Sequence, residues 1–331
     1  MLNILTTALL LATTYAFTIP RSSLPFLSPS TTTQLSAIQP GSTVALTTPM
    51  KDDGSIDTDA YRKLVKWHVE EGTKGLCVLG TTGEASTLTF SERSTILKIT
   101  EEELKDSDIM FMVGTGTIKT DTCIEYSKQA LEFGADCSLI VTPYYVKPTL
   151  SGLITHYKKI NQAVPTLPII LYNVPSRTGV DMSPEDVGRV REKVGNVVGI
   201  KEATGEVGRV EVIKGICGED FFMWSGDDDT GSEFVLKGGD GVISVTANLA
   251  PKRMQNIMQA ALNNDKELVD KINQPLIQIH DKLFCQANPI PVKYALWKME
   301  KIEKGIRCPL TGLDEEYWGV VDGALESAGL I

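Results

Sequence analysis

The sequence predicts a (β/α)8 barrel, on three observations. Eight short apolar runs follow one another between about residue 42 and residue 248, each ending in Gly, Thr, Pro, Asp or another polar residue. Segments of helical period lie between them. No run is followed by the G-x-G-x-x-G turn of a doubly wound nucleotide-binding sheet, and a regular eightfold alternation favours closure into a barrel.

The runs are "STVALTTP", "GLCVLGTTGE", "IMFMVGTG", "CSLIVTPYY", "PIILYNVPSRTG", "VVGIKEATG", "FFMWSGDD" and "GVISVTAN". Between the first two, "DAYRKLVKWHVEEG" places Tyr61, Leu64, Val65, His68 and Val69 on one helical face. Next comes "SERSTILKITEEEL", where Ser91 reads as an N-cap with acids downstream. After the eighth run only helical pattern remains, as in "APKRMQNIMQAALNN" and "DKELVDKINQPLIQIHDKLF". The reading divides the chain into a leader over 1–40, a barrel over 41–265 and a C-terminal helical extension over 266–331.

Composition narrows the function classes. The 331 residues are 42% hydrophobic and 22% charged, as in ordinary soluble globular proteins. Acids outnumber bases 42 to 32, for a formal charge of -10. With no Lys/Arg cluster to track phosphates, a nucleic-acid partner is not expected. None of the six cysteines forms a C-x-x-C pair, and several sit in apolar runs, so reduced, structural thiols are expected. The three histidines, His68, His156 and His280, are isolated from one another, and no metal site is expected.

Arg21 is the only charged side chain among the first 50 residues. "MLNILTTALLLATTYAF" has an apolar core too short to span a bilayer comfortably, with small residues around Ala16, which is signal-peptide form. "TIPRSSLPFLSPSTTTQLSA" then has the Ser/Thr/Pro-rich, acid-free composition of a transit peptide. The tandem resembles the two-part leaders of algae with complex plastids, with cleavage between Ala16 and Phe17 and the mature protein in the plastid stroma. Plain secretion and a mitochondrial presequence are the alternatives. A lone arginine argues against the second, and the lack of a disulfide pattern argues against the first.

In such barrels the strand-to-helix loops meet at the carboxyl ends of the strands, so polar residues there are the candidates for chemistry. In "NVVGIKEATG" the apolar run from Val197 to Ile200 leads directly to Lys201. One reading is a lysine neutralised by an acid such as Glu202 or Asp227. The other is an amine nucleophile: desolvation among apolar neighbours disfavours the charged form, and a free amine attacks a carbonyl to form a Schiff base. Tyr172, at the end of the preceding run, supports the second reading, because imine formation needs a group that moves protons off the amine and onto the departing water. Thr81 and Thr82 in "GTTGE" supply hydroxyls on a glycine-flanked turn whose backbone N–H groups can face a carboxylate. Arg177 in "YNVPSRTG" adds a guanidinium for a second carboxylate. An amine, a proton carrier, an anion cradle and a fixed cation suit an α-keto acid.

Seven segments in order, "GTTGEASTL", "GTGTIKT", "VTPYYVKP", "YNVPSRTG", "GIKEATG", "SGDD" and "GVISVTAN", resemble the dihydrodipicolinate (4-hydroxy-tetrahydrodipicolinate) synthase family from about Gly41 to the C-terminus. The resemblance implies a lyase that condenses pyruvate with L-aspartate-4-semialdehyde, the entry step of the diaminopimelate route to lysine, with no cofactor. It implies that Lys201 forms the imine and that Tyr172 is the central proton carrier, linked to Thr81 and to Tyr145. It also implies that Tyr145 is lent across a dimer interface within a dimer of dimers. Thr82, with Gly226 and Ile243, would line the pyruvate site, and Arg177 would bind the carboxylate of the semialdehyde. The related N-acetylneuraminate lyases resemble the chain less closely. They usually carry serine where "GTTGE" has threonine, and usually lack the arginine of "PSRTG". Other pyruvate-dependent sugar-acid aldolases, and a non-catalytic barrel that binds keto acids, are the remaining alternatives.

One departure from the family carries a regulatory expectation. Many members bind inhibitory lysine at the dimer interface through an Asn and a Glu after "GTG", where this chain has Ile118 and Thr122. Phe90 and Arg93 stand where a His or Trp and a second His are common, while Tyr144 is kept. Without a carboxylate at position 122 to meet its ammonium groups, lysine is expected to inhibit weakly or not at all. A lysine titration of the purified enzyme checks this, and half-inhibition at micromolar lysine, about a thousandfold below the weak-binding range, would contradict it.

Overall fold

The computed structural model describes residues 37–331. Eight parallel strands close on themselves in sequence order: β1 (Gly41–Ala45), β2 (Gly75–Val78), β3 (Met110–Gly114), β4 (Cys137–Val141), β5 (Ile169–Asn173), β6 (Val197–Glu202), β7 (Phe222–Ser225) and β8 (Gly241–Ser244), with β8 pairing β1. Each strand is buried on both faces, so it reads as an apolar run and not as an alternation. The leader expectation falls mostly on residues 1–36, which lie outside the described residues. No described helix is long and apolar enough to cross a membrane.

Two cores follow from the strand phase. Val44, Leu76, Phe111, Val113, Ile140, Leu171 and Met223 face outward and join the surrounding helices. Cys77, Met110, Met112, Leu139, Ile170, Trp224 and Ile243 face inward and fill the barrel below its mouth, with Tyr172 and Phe222 packed against them. The barrel is therefore a solid apolar plug, not a pore.

Local signals place the helices. Tyr61, Leu64, Val65 and His68 are buried on the inner face of the helix Thr58–Glu70, with Val69 partly buried beside them. The helix Phe90–Leu104 is capped two residues before the Ser91 N-cap that the sequence suggests. Thr89 caps it in a reciprocal box with Glu92, and this Thr-x-x-Glu arrangement satisfies two amide donors where Ser91 would satisfy one. The helix Pro251–Leu262 packs against β1, and Lys266–Asn273, Ile277–Lys282, Ile290–Lys298 and Trp318–Ser327 follow it.

The C-terminal segments are tied to the loop after β2. Glu84 is buried and pairs with the buried Lys293 of the helix Ile290–Lys298. Removing one member of such a pair strands the other charge in the interior, at a cost of about 3–5 kcal/mol. Arg307 adds a second tie: its amide donates to Glu84 at 3.1 Å, and its guanidinium bonds Glu92 at 3.0 Å, the Thr87 carbonyl at 2.9 Å and the Gly54 carbonyl at 2.8 Å.

The Arg307 guanidinium, helped by Thr89, holds the Glu92 carboxyl at about 2, below its ordinary value of 4.5. A carboxyl depressed in the folded state stabilises fully above its unfolded value and loses that contribution as the pH falls through its folded one. Glu92→Gln should therefore lower the urea midpoint at pH 7. The difference from the parent protein should narrow as the pH falls below about 4.5 and close near pH 2. Midpoints measured across that range check it.

Candidate active site

Lys201 reaches the interior of the mouth because β6 is irregular. Ile169 pairs with Val197 but Ile170 pairs with Gly199, so Val198 is an extra residue on β6. Val198 packs in the inner cluster, and strict alternation from it would turn Ile200 inward and Lys201 out. The bulge reverses the phase: Ile200 joins the outer core, Lys201 points in, and Glu202 points out. The uninterrupted apolar spelling of "VVGI" gives no sign of this.

Lys201 is 6% exposed, and its Nζ lies 4.6 Å from the centre of the Tyr172 ring. Tyr172 is the direct Cα partner of Lys201, within β5 and not in the loop beyond it, and is half-buried. Trp224, fully buried, flanks Lys201 on β7. Gly226 leaves space for the lysine: a Cβ there would lie 3.1 Å from Lys201 Cε and 2.4 Å from the Ala203 Cβ. Ile243 is buried in the plug below.

Neither acid neutralises Lys201 by direct contact. Glu202 accepts from the Thr204 amide at 3.0 Å and from Asn173 at 3.2 Å, with Arg209 at 3.8 Å, all outside the barrel. Burial pushes the Asp227 carboxyl up to about 6, with the Lys201 charge opposing it, yet no ion pair joins the two. Among the described residues Lys201 has no salt-bridge partner within 4.0 Å. Burial also raises the nearby Cys77 thiol to about 11, so it stays protonated and is no rival nucleophile at neutral pH.

The loop after β2 is held in a constrained shape. Leu79 and Glu84 both adopt left-handed backbone angles, φ 56 and 51, which non-glycine residues rarely do. The Glu84–Lys293 pair and a Thr48 hydroxyl donating to the Gly83 carbonyl at 2.8 Å hold it there. Thr82 is buried on this loop, while Thr81 is exposed at the mouth. Arg177, on the short helix Pro175–Thr178, is exposed on the rim. Tyr145 is 87% exposed with φ 69. Lys201, Tyr172, Thr82, Gly226 and Ile243 thus gather at or under one mouth. No hydrogen bond joins Thr81, Tyr145 and Tyr172 among the described residues, so one chain by itself does not make the expected link.

Asn288 was not anticipated from sequence, where "ANPIPVK" carries no chemical signature. It is buried, and its side-chain amide donates to the Thr82 hydroxyl at 3.0 Å. The six cysteines are unpaired thiols, four of them buried. No cluster of three His, Cys, Asp or Glu suited to a metal occurs among the described residues.

Phe90 and Arg93 meet Tyr126 in a stack of their own. Arg93 is buried, donates to the Gly114 carbonyl at 2.9 Å and lies 3.8 Å over the Tyr126 ring, on which Phe90 also stacks. The region already holds a cation.

Comparison with known proteins agrees with this fold. The family model described as the dihydrodipicolinate synthetase family matches residues 39–328. A 4-hydroxy-tetrahydrodipicolinate synthase of Coxiella burnetii is 48% identical over 290 residues, 88% of this chain and 98% of that protein. One from Methylococcus capsulatus is 46% identical over 291 residues, 88% of this chain and 99% of its own. The crystal structure of the chloride-inhibited dihydrodipicolinate synthase of Acinetobacter baumannii complexed with pyruvate superposes with a TM-score of 0.86 at 46% identity, covering 89% of this chain and all of that one. With matching fold, a family model over residues 39–328 and nearly half the aligned residues shared, this chain belongs to the dihydrodipicolinate synthetase family.

Proposed function

We propose that this chain is a 4-hydroxy-tetrahydrodipicolinate synthase, a lyase that condenses pyruvate with L-aspartate-4-semialdehyde. The observation that carries the chemistry is Lys201: a buried amine at the barrel mouth, without an ion-pair partner, above an apolar plug and against Tyr172. Its relatives' shared name and its own site agree.

The Lys201 nitrogen attacks the keto carbon of pyruvate, giving a carbinolamine. Loss of its hydroxyl as water leaves the imine. Removing a methyl proton makes an enamine, whose carbon attacks the aldehyde carbon of the second substrate. The amine of that substrate then adds to the imine carbon and displaces the Lys201 nitrogen, freeing the lysine and closing the product ring. Tyr172, opposite Lys201 on the preceding strand, serves as the proton carrier for water loss and for the aldehyde oxygen. Thr82 and the amides around it receive pyruvate's carboxylate, Gly226 and Ile243 shape the space beside the imine, and Arg177 on the rim receives the carboxylate of the semialdehyde.

Thr81 and Tyr145 complete the proton path in an assembly. Tyr145 is almost fully exposed, and Phe90, Ile118 and Val146 are exposed apolar residues too, as a surface made for a second copy would be. We read the functional unit as a homo-oligomer, a dimer of dimers, in which Tyr145 serves the partner's site. The plastid location rests on the composition of the leader. Weak lysine feedback is supported by Ile118, Thr122 and the Arg93–Tyr126–Phe90 stack.

A condensation assay on the purified protein tests this reading. The parent should turn over pyruvate only when the semialdehyde is supplied. Lys201→Ala should fall to background, and Tyr172→Phe should lose about 10²–10⁴-fold in kcat. Full activity in a folded Lys201→Ala protein would refute the mechanism.

A further inference from the structure

The C-terminal extension touches the proposed pyruvate cradle at one side chain. Asn288, 7% exposed, donates from Nδ2 to the Thr82 hydroxyl oxygen at 3.0 Å. Its main-chain carbonyl accepts from Arg177 Nη2 at 3.4 Å. Thr82 comes from the loop after β2 and Arg177 from the segment after β5, and no other described residue hydrogen-bonds both.

A hydroxyl has one proton to give. When its oxygen accepts from an amide N–H, its own O–H is free to donate elsewhere. Thr82 is 3% exposed, and its side chain has no other hydrogen-bond partner among the described residues, so its proton is left for a ligand. The Asn288 Oδ1, in turn, is buried with no partner, leaving the bond to Thr82 as the amide's only hydrogen bond. A buried polar atom left unsatisfied calls for an explanation other than stability.

We propose that Asn288 is a positioning residue for the keto acid: its amide fixes the Thr82 hydroxyl as a donor toward the carboxylate of pyruvate, while its backbone carbonyl separately holds Arg177. The proposal rests on the reading of Thr82 as a carboxylate ligand. The two roles separate on mutation, since a side-chain change removes the first and keeps the second.

Asn288→Ala should raise the pyruvate KM about tenfold, the effect of one lost orienting hydrogen bond. It should leave kcat and the semialdehyde KM within about twofold of the parent. Asn288→Asp should do more, about a hundredfold, because a carboxylate only accepts: it captures the Thr82 proton and opposes the incoming anion. That excess should shrink as the pH is lowered and the introduced carboxyl protonates, which a merely structural role would not produce. If Asn288 acts through the hydroxyl, Asn288→Ala should add little in a Thr82→Val background, a cycle that also serves where Asn288→Asp folds poorly. Parallel rises in both KM values, or an unchanged pyruvate KM in a folded Asn288→Ala enzyme, would overturn the assignment of Asn288 alone. A parent protein with no turnover of pyruvate would remove the reading of Thr82 and the proposal with it.

Discussion

A lysine on the inner face of a parallel barrel needs a backbone phase that turns it inward and neighbours that leave room for its stem. The extra residue at Val198 meets the first need. Gly226, where any Cβ would crowd Lys201 and Ala203, meets the second. The surrounding apolar plug then leaves the amine without a direct counter-ion among the described residues and faces it with little but carbon and the Tyr172 ring. Tyr172 at the same level, and Thr82 on the loop after β2, are useful only because the amine arrives there.

The rest of the site is held from outside the barrel. The loop that carries Thr81 and Thr82 runs through left-handed positions at Leu79 and Glu84. Such a conformation persists where the surroundings over-determine it. Lys293, Arg307 and Asn288 supply that hold, and all three come from the C-terminal extension. The extension is thus part of how the cradle keeps its shape, and not only a cover for the barrel wall.

Much of this was legible in the sequence because of how buried parallel strands are spelled. Each is an apolar run stopped by turn-forming residues, so all eight could be counted, and Lys201 stood out as a charge at the end of one. The same spelling hid the bulge: Val197, Val198 and Ile200 are all apolar, and a run without alternation carries no phase. Glu202 looked like a partner for Lys201 because adjacent residues seem close, yet neighbours on a strand point to opposite faces. Ser91 reads as a cap from its place before the helical pattern, whereas the reciprocal bond with Glu92 belongs to Thr89. Asn288 had no local signature, since its meaning lies in a contact with Thr82 that only the closed fold creates. The Thr81–Tyr172–Tyr145 link, expected by resemblance, is not closed within one chain.

The most direct test of the central claim is to incubate the purified protein with pyruvate and borohydride and map the modified peptide by mass spectrometry. Reduction converts an imine into a stable secondary amine. The account predicts one pyruvate-derived adduct, on Lys201, that is absent without pyruvate. A folded, assembled protein that gives no adduct, or one modified on a different lysine, would contradict it.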